Sequence, residues 1–310
     1  MIDPTPDPVQ SAPTDSQAGQ SGAGQGQAAG PGRLPRLTQT QAPLTHATTA
    51  VNEFGDKVAV SVPAERALTV YIDKRELVTL MTLGASPELL VLGFLRNQRL
   101  VARADDIESI TVDWDVGSAA VKTRHGIEDI AAKTAKRVVT TGCGQGSVFG
   151  GLMDEIDTLR LPNATITQSQ LYAIVNVIRQ KESTYKSAGS VHACALFRGE
   201  EMLTFVEDVG RHNALDTIAG WMWLNSELAG PSAQQVFYTT GRLTSEMVIK
   251  SAQMGVPIVI SRSGITQMGH ALATRLGLCT IGRATNKHFL CYSAAERLVL
   301  QTELAGKRLA

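Results

Sequence analysis

The sequence predicts an α/β protein, with a small α+β unit followed by a larger, layered α/β domain. Three observations carry that prediction. From Thr167 onward, short β-type runs alternate with helical stretches, the pattern of a sheet with helices packed against it. Upstream, several strand-like runs surround one helix, which suits a smaller α+β unit. With 43% apolar residues among 310, the chain can also bury a sizeable core. The expected divisions are a tail over 1–46, the α+β unit over 47–135, the α/β domain over 136–300 and a C-terminal tail over 301–310.

The first segment is a different polymer from the rest. Gln, Gly, Ala, Ser and Pro dominate it, as in residues 17–27, and such a stretch cannot bury enough apolar area to offset its conformational entropy. It has neither the apolar centre of a secretory signal nor an Arg-rich transit pattern, so a disordered tail without catalytic role is expected. Order is expected from near Val51. Residues 58–62 and 68–72 predict antiparallel strands joined by a turn near Pro63. Ser86 and Pro87 predict a helix start, with an N-cap serine and proline in the first turn. Leu89, Leu90, Leu92, Gly93 and Leu95 form its broad apolar face, and strands over 107–112 and 119–122 complete the unit.

In the larger domain, Thr167-Gln168-Ser169-Gln170 is a capping box, and Leu171, Ile174, Val175 and Ile178 recur behind it at helical spacing. Strands are expected over 191–197, 202–206, 235–239, 256–260, 279–282 and 289–292, with helices over 213–224, 245–254 and 266–276. That alternation predicts an at least partly parallel sheet. No internal repeat of solenoid length is present.

Composition excludes some functions. A formal net charge of zero argues against a general nucleic-acid binder, although it permits a local anion site. No run of about 18 apolar residues occurs, so membrane insertion is not expected. The four cysteines, Cys143, Cys194, Cys279 and Cys291, are far apart and fit a reduced, cytoplasmic chain better than a disulfide scaffold. Cys279 and Cys291 lie in apolar strand-like runs and are expected in the core.

Chemistry concentrates in a few stretches. Val138-Val139-Thr140-Thr141-Gly142-Cys143-Gly144-Gln145-Gly146-Ser147 sets one thiol among glycines, whose missing Cβ atoms leave the sulfur accessible. Such a stretch is either a loop presenting a reactive sulfur or a tight turn that needs a small residue. Three strand-to-helix turns follow: Glu207-Asp208-Val209-Gly210-Arg211-His212-Asn213-Ala214, Thr239-Thr240-Gly241-Arg242-Leu243-Thr244-Ser245-Glu246, and Ser261-Arg262-Ser263-Gly264-Ile265-Thr266. Each sets Gly and Arg at a helix N-terminus, where unpaired N–H groups favour an anion. One such turn is ordinarily a capped helix with a solvated arginine; three in succession point to a phosphate-bearing ligand. A fourth cluster, Arg283, Ala284, Thr285, Asn286, Lys287 and His288, is either a plain hairpin tip or a diphosphate clamp. His192-Ala193-Cys194 departs from the zinc-deaminase pattern, because Cys194 stands where the catalytic Glu belongs and no Cys-x-x-Cys exists. Zinc is therefore not expected, and His192 is expected to order a loop by hydrogen bonding.

Residues 207–216 and 241–250, with Ser261-Arg262-Ser263 and the Gly-Cys-Gly loop in the same order, resemble the FdhD/NarQ family of formate dehydrogenase accessory sulfurtransferases. The resemblance covers roughly residues 55–300. It implies a cytoplasmic protein whose larger domain is shaped like the cytidine deaminases without their zinc. It further implies transfer of sulfur from a cysteine desulfurase, through a persulfide on Cys143, to the molybdenum (or tungsten) bis-molybdopterin guanine dinucleotide of formate dehydrogenase. The cofactor-binding segment of the family maps onto Arg283 to His288, and the cofactor's two diphosphates suit convergent sites at Arg242 and Arg262. Many members carry Cys-x-x-Cys in the loop; Gly146 replaces the second cysteine here, which leaves a one-thiol relay. The expected partners are the desulfurase and formate dehydrogenase; whether the chain forms a homodimer is open. Two rivals remain, a cofactor-binding chaperone without sulfur chemistry and a nucleotide-modifying enzyme on a deaminase-like fold.

Overall fold

The computed structural model describes residues 34–128, 130, 156–230, 232 and 234–306, all within one unit, Arg33–Ala310. Its first part is a five-stranded sheet. The strands are β1 (Arg36–Leu37), β4 (Arg66–Ile72), β5 (Arg75–Thr82), β6 (Ile107–Asp113) and β7 (Ser118–Thr123), in the order β1-β6-β7-β4-β5. Alternation along β4 buries Leu68, Val70 and Ile72 against α1 (Pro87–Asn97), which closes the face. Proline opens α1 as expected, but the Ser86 hydroxyl makes no capping hydrogen bond.

Three expectations are corrected here. Residues 57–63 do not pair with 66–72. β3 (Lys57–Pro63) turns back on β2 (Thr45–Val51) in a separate two-stranded ribbon, while β4 takes β5 and β7 as neighbours. β5 itself was not anticipated. It follows β4 through a two-residue turn, Asp73-Lys74, in which both residues have positive φ, the hairpin geometry normally announced by Asn-Gly. Finally, structure begins inside the expected tail. β1 pairs with β6, and beyond it Thr38 Oγ1 and Thr40 N donate to the buried carboxylate of Glu88 at 2.6 and 2.8 Å.

The second part is a six-stranded sheet in the order β10-β9-β11-β12-β13-β14. Its strands are β9 (His192–Arg198), β10 (Glu201–Asp208), β11 (Gln235–Thr239), β12 (Ile258–Ser261), β13 (Cys279–Thr285) and β14 (His288–Ser293). β11, β12 and β13 are parallel and the outer pairings antiparallel, the partly parallel sheet expected. Short β8 (Ile166–Thr167) pairs with β15 (Leu298–Val299) at the side. Period-two alternation divides the core. Cys194 and Leu196 face a layer of α4 (Arg211–Leu224), α6 (Ser245–Gln253) and α7 (Gln267–Leu276), whereas Ala195 and Phe197 face α2 (Gln168–Gln180). The Thr167 capping box forms as read, Thr167 Oγ1 accepting from Gln170 N at 3.2 Å. Short helices α3 (Thr184–Ala188) and α5 (Ser226–Ala229) complete the described elements.

α4 joins the two parts. It is buried from Arg211 through Gly220 because the sheet covers one side and α1 the other. The two helices cross at glycines. A Cβ on Gly93 would stand 1.6 Å from the carbonyl oxygen of Asp216, and one on Gly220 would stand 2.1 Å from that of Leu89. Among the described residues no helix is long and apolar enough to cross a membrane.

Candidate functional site

Because β11, β12 and β13 are parallel, the turns after them leave the same edge of the sheet, the edge where open α/β sheets bind ligands. The turns after β11 and β12 interlock. Arg262 N donates to Thr239 O at 3.0 Å, Ser261 Oγ to Gly241 O at 2.7 Å and Ser263 Oγ to Thr240 O at 3.0 Å. β13 joins them, with Arg283 N donating to Ser263 O at 2.8 Å. The sequence reading that the turns converge is thus correct, but their N–H groups are mostly used. Those of Thr240, Gly241, Leu243 and Ser263 all have protein acceptors. Positive charge at this edge therefore comes from side chains, with Arg242 and Arg262 both exposed.

On the α2 side the edge holds a cavity of about 330 Å³. Of the site residues read from sequence, Arg262, Ala284, Thr285 and Asn286 line it; Arg242, Arg283, Lys287 and His288 do not. Arg242 lies near enough to His192 for its charge to act on it. Burial, then Arg211 and Arg242, hold that imidazole below its usual pKa. His192 Nδ1 lies 3.5 Å from Thr240 Oγ1, in keeping with the loop-ordering role expected of it. The basic hairpin is tighter than it read, since Thr285 pairs with His288 and only Asn286 and Lys287 form the turn. Lys287 instead borders a neighbouring cavity with Tyr172 and Arg179.

Sequence reasoning missed three cations of the cavity lined by Arg262, namely Arg179, Lys181 and Lys186. They sit at the end of α2 and beyond it, a run that reads as the solvated end of an amphipathic helix. Its signal was three basic residues within eight, 179–186. Phe205 and Tyr238 supply apolar wall, and burial pushes the Tyr238 hydroxyl up to about 12. Glu207 is the cavity's acidic member. Its carboxylate is occupied by Thr184 N at 2.6 Å and Tyr185 N at 3.1 Å, at the start of α3. The result is a cationic cleft with one aromatic flank, able to take a planar ring and an anionic group together.

The other polar residues of the three turns point inward. Asp208 accepts from Thr82 Oγ1, Leu83 N, Gly210 N and Asn213 Nδ2, which ties β10 to the end of β5. Lys250 Nζ donates to Asp216 Oδ2 at 2.9 Å and lies 3.2 Å from Glu246 Oε1; neither Lys250 nor Asp216 is exposed at all. Asn97 Nδ2 of α1 donates to Asp216 Oδ1 at 2.6 Å. Burial works against the Lys250 ammonium, yet Asp216 and Glu246 more than offset it and its pKa stays raised. His212, 3.5 Å from Glu246, is pushed down to about 2 by burial, Lys250 and Arg211, and so stays neutral. These groups clamp α1, α4 and α6 together rather than face a ligand.

Three of the four thiols are placed. Cys194 is fully buried, donates to Thr239 Oγ1 at 3.3 Å, and is pushed up to about 12 by burial. Cys279 is fully buried and its thiol is raised by its hydrogen bond with Cys291 and by burial. Cys291 differs from expectation in being only half-buried, and its thiol is lowered by the hydrogen bond from Cys279. Cys143 and its loop lie outside the described residues. They fall between Ile130, packed on the core around α1, and Ile156, buried with α4, α6 and α7. Among the described residues no three His, Cys, Asp or Glu side chains gather as a metal site.

The sequence matches the family model described as the FdhD/NarQ family over residues 63–299. Relatives include the sulfur carrier protein FdhD of Bacillus licheniformis, 30% identical over 78% of this chain and 90% of that protein. The sulfur carrier protein FdhD of Bacillus subtilis is 31% identical over 78% of this chain and 92% of its own. Among solved structures, that of a candidate formate dehydrogenase accessory protein from Desulfotalea psychrophila superposes with a TM-score of 0.66. It covers 83% of this chain and all of that one, at 24% identity, and establishes the likeness of fold.

Proposed function

The chain belongs to the FdhD/NarQ family, and on that premise we propose that it is a sulfur carrier serving a formate dehydrogenase, with Cys143 as the carrying thiol. The observation that supports this choice of cysteine is the placement of the others. Cys194 and Cys279 are fully buried with raised thiol pKa values, so neither offers an accessible thiolate. Cys291 is half-buried and engaged with Cys279. Cys143, between Gly142 and Gly144, is the thiol whose sequence context favours access.

In the proposed relay, the Cys143 thiolate attacks the outer sulfur of a cysteine desulfurase persulfide. The S–S bond of the donor breaks, its cysteine leaves as thiolate, and Cys143 carries the new persulfide. The outer sulfur would then pass to the molybdenum (or tungsten) bis-molybdopterin guanine dinucleotide, which is the substrate. The S–S bond on Cys143 breaks, Cys143 leaves as thiolate, and a reduced metal centre in that substrate would supply the two electrons that take the sulfur to the sulfide level. We assign the nucleotide end of that substrate to the cationic edge. Arg262 and residues 284–286 line the cavity there, with Arg242 on the interlocked turn after β11 and Arg283, Lys287 and His288 on the adjoining hairpin. A volume of about 330 Å³ suits one nucleotide portion rather than the whole substrate.

Intact mass after incubation with a cysteine desulfurase and cysteine tests the reading. Wild-type protein should gain one reductant-labile sulfur, about 32 Da, on the Cys143 peptide. Cys143→Ser should gain none and should fail to activate formate dehydrogenase. Sulfur mapped to Cys291, or a dehydrogenase matured by Cys143→Ser, overturns the assignment; retained function in Cys143→Ala would favour the chaperone without sulfur chemistry.

A further inference from the structure

α6 runs back along the sheet from the arginine-bearing turns, so its C-terminus lies at the opposite edge of the parallel strands. There it meets the C-terminal ends of α1 and α4 around a cavity of about 520 Å³. Arg96 and Asn97 come from the last turn of α1 and Arg99 from the segment after it. Trp223 comes from α4, Gln253 from α6, and Leu159 closes the wall.

Three side-chain atoms lining this cavity are buried without a hydrogen-bond partner: Asn97 Oδ1 and both amide atoms of Gln253. More than about nine in ten buried polar atoms are paired, with protein or with ordered water, so three unpaired atoms in one place call for a polar partner. Arg96 adds charge. One of its nitrogens donates to Ala219 O at 2.9 Å, and its guanidinium lies over the Trp223 ring at 5.3 Å. Burial lowers its pKa to about 10, with no carboxylate acting against that desolvation. Helix C-termini attract cations, which alone would account for an arginine here. The dipole does not account for the unpaired Asn97 Oδ1 or for the unpaired Gln253 amide.

We propose that this cavity is a second ligand site, taking a small planar anion such as an aryl or heteroaryl carboxylate. The oxyanion meets the Arg96 and Arg99 guanidiniums. The ring lies against Trp223, and its polar edge meets the Gln253 amide, which can both donate and accept, beside the acceptor Asn97 Oδ1. The volume falls in the usual range for small-molecule pockets.

Titration calorimetry of the full chain with nicotinate, benzoate and inorganic phosphate tests the site. Nicotinate should bind saturably, one per chain, and phosphate at least about tenfold more weakly, because it has no planar edge for the amides. Gln253→Leu should weaken nicotinate by about tenfold or more while its melting temperature holds or rises, since it removes two orphan atoms. Three results overturn the proposal: no saturable binding of either carboxylate at millimolar concentration, phosphate binding as tightly as nicotinate, or unchanged nicotinate affinity in Gln253→Leu.

Discussion

Replacing Lys250 by methionine probes the clamp that holds the two parts of the fold together. The ammonium is wholly buried between Asp216 and Glu246, and Asp216 in turn holds Asn97 of α1. Methionine fills a similar volume, so the loss is electrostatic: the Asp216 carboxylate is left in the core with one amide donor. Breaking a buried pair from one side costs about 3–5 kcal/mol. At roughly 2–4 °C per kcal/mol for a domain of this size, the melting temperature should fall by about 6–20 °C. The pH dependence gives the sign. Burial already raises the Asp216 pKa and loss of the ammonium removes the main effect opposing that rise, so the contribution of this carboxyl is intact below its unfolded pKa and is lost as pH rises from there through the raised folded-state value. The gap between wild type and Lys250→Met should therefore narrow from pH 7 to pH 5. Adding Asp216→Asn should recover part of the loss, because the wholly buried carboxylate charge is then removed and only that of Glu246, 8% exposed, stays unpaired. Thermal melts of the single and double variants across that range decide the matter. A Lys250→Met protein within about 1 kcal/mol of wild type at pH 7, or a gap that widens on acidification, refutes the clamp.

How much of this was legible depended on how local each feature is. The Thr167 cap was readable because its partner, Gln170, lies three residues away. The alternation of the larger domain was readable because each strand and helix carries its own period. Pairing is not local. Nothing within Lys57–Pro63 says that its partner is Thr45–Val51 upstream rather than Arg66–Ile72 downstream, and Thr45 lay in a segment whose neighbours read as tail. The anion edge was legible in Arg262 because a strand-to-helix turn fixes where it emerges. Arg179, Lys181 and Lys186 were not, because only packing of α2 across the sheet brings them to the same cavity. Glu246 shows the opposite error. It read only as the end of a strand-to-helix turn, yet its spacing of four from Lys250 on one helix face already offered an ion pair, and the structure buries both.

Three further outcomes are expected. Gly93→Ala should give little soluble protein or a melting temperature well below wild type, since its Cβ would collide with the Asp216 carbonyl oxygen and nothing but separation of α1 from α4 relieves the clash. Arg262→Ala should weaken guanine-nucleotide binding by roughly 1.5–3 kcal/mol in calorimetry, whereas Arg283→Ala, which does not line the cavity, should change it little; equal losses would place the ligand on the hairpin. Truncation separates the tail from the fold. A chain starting at Leu34 should melt like the full-length protein, but one starting at Ala47 removes both threonine donors from Glu88, which is only 4% exposed, and strips β1 from the sheet edge. An unpaired buried carboxylate costs more than the roughly 1–3 kcal/mol of a neutral group. The shorter chain should therefore be clearly destabilised, and Glu88→Gln should restore part of its stability by removing the charge; equal melting of the two truncations would show that residues 34–46 hold nothing in place.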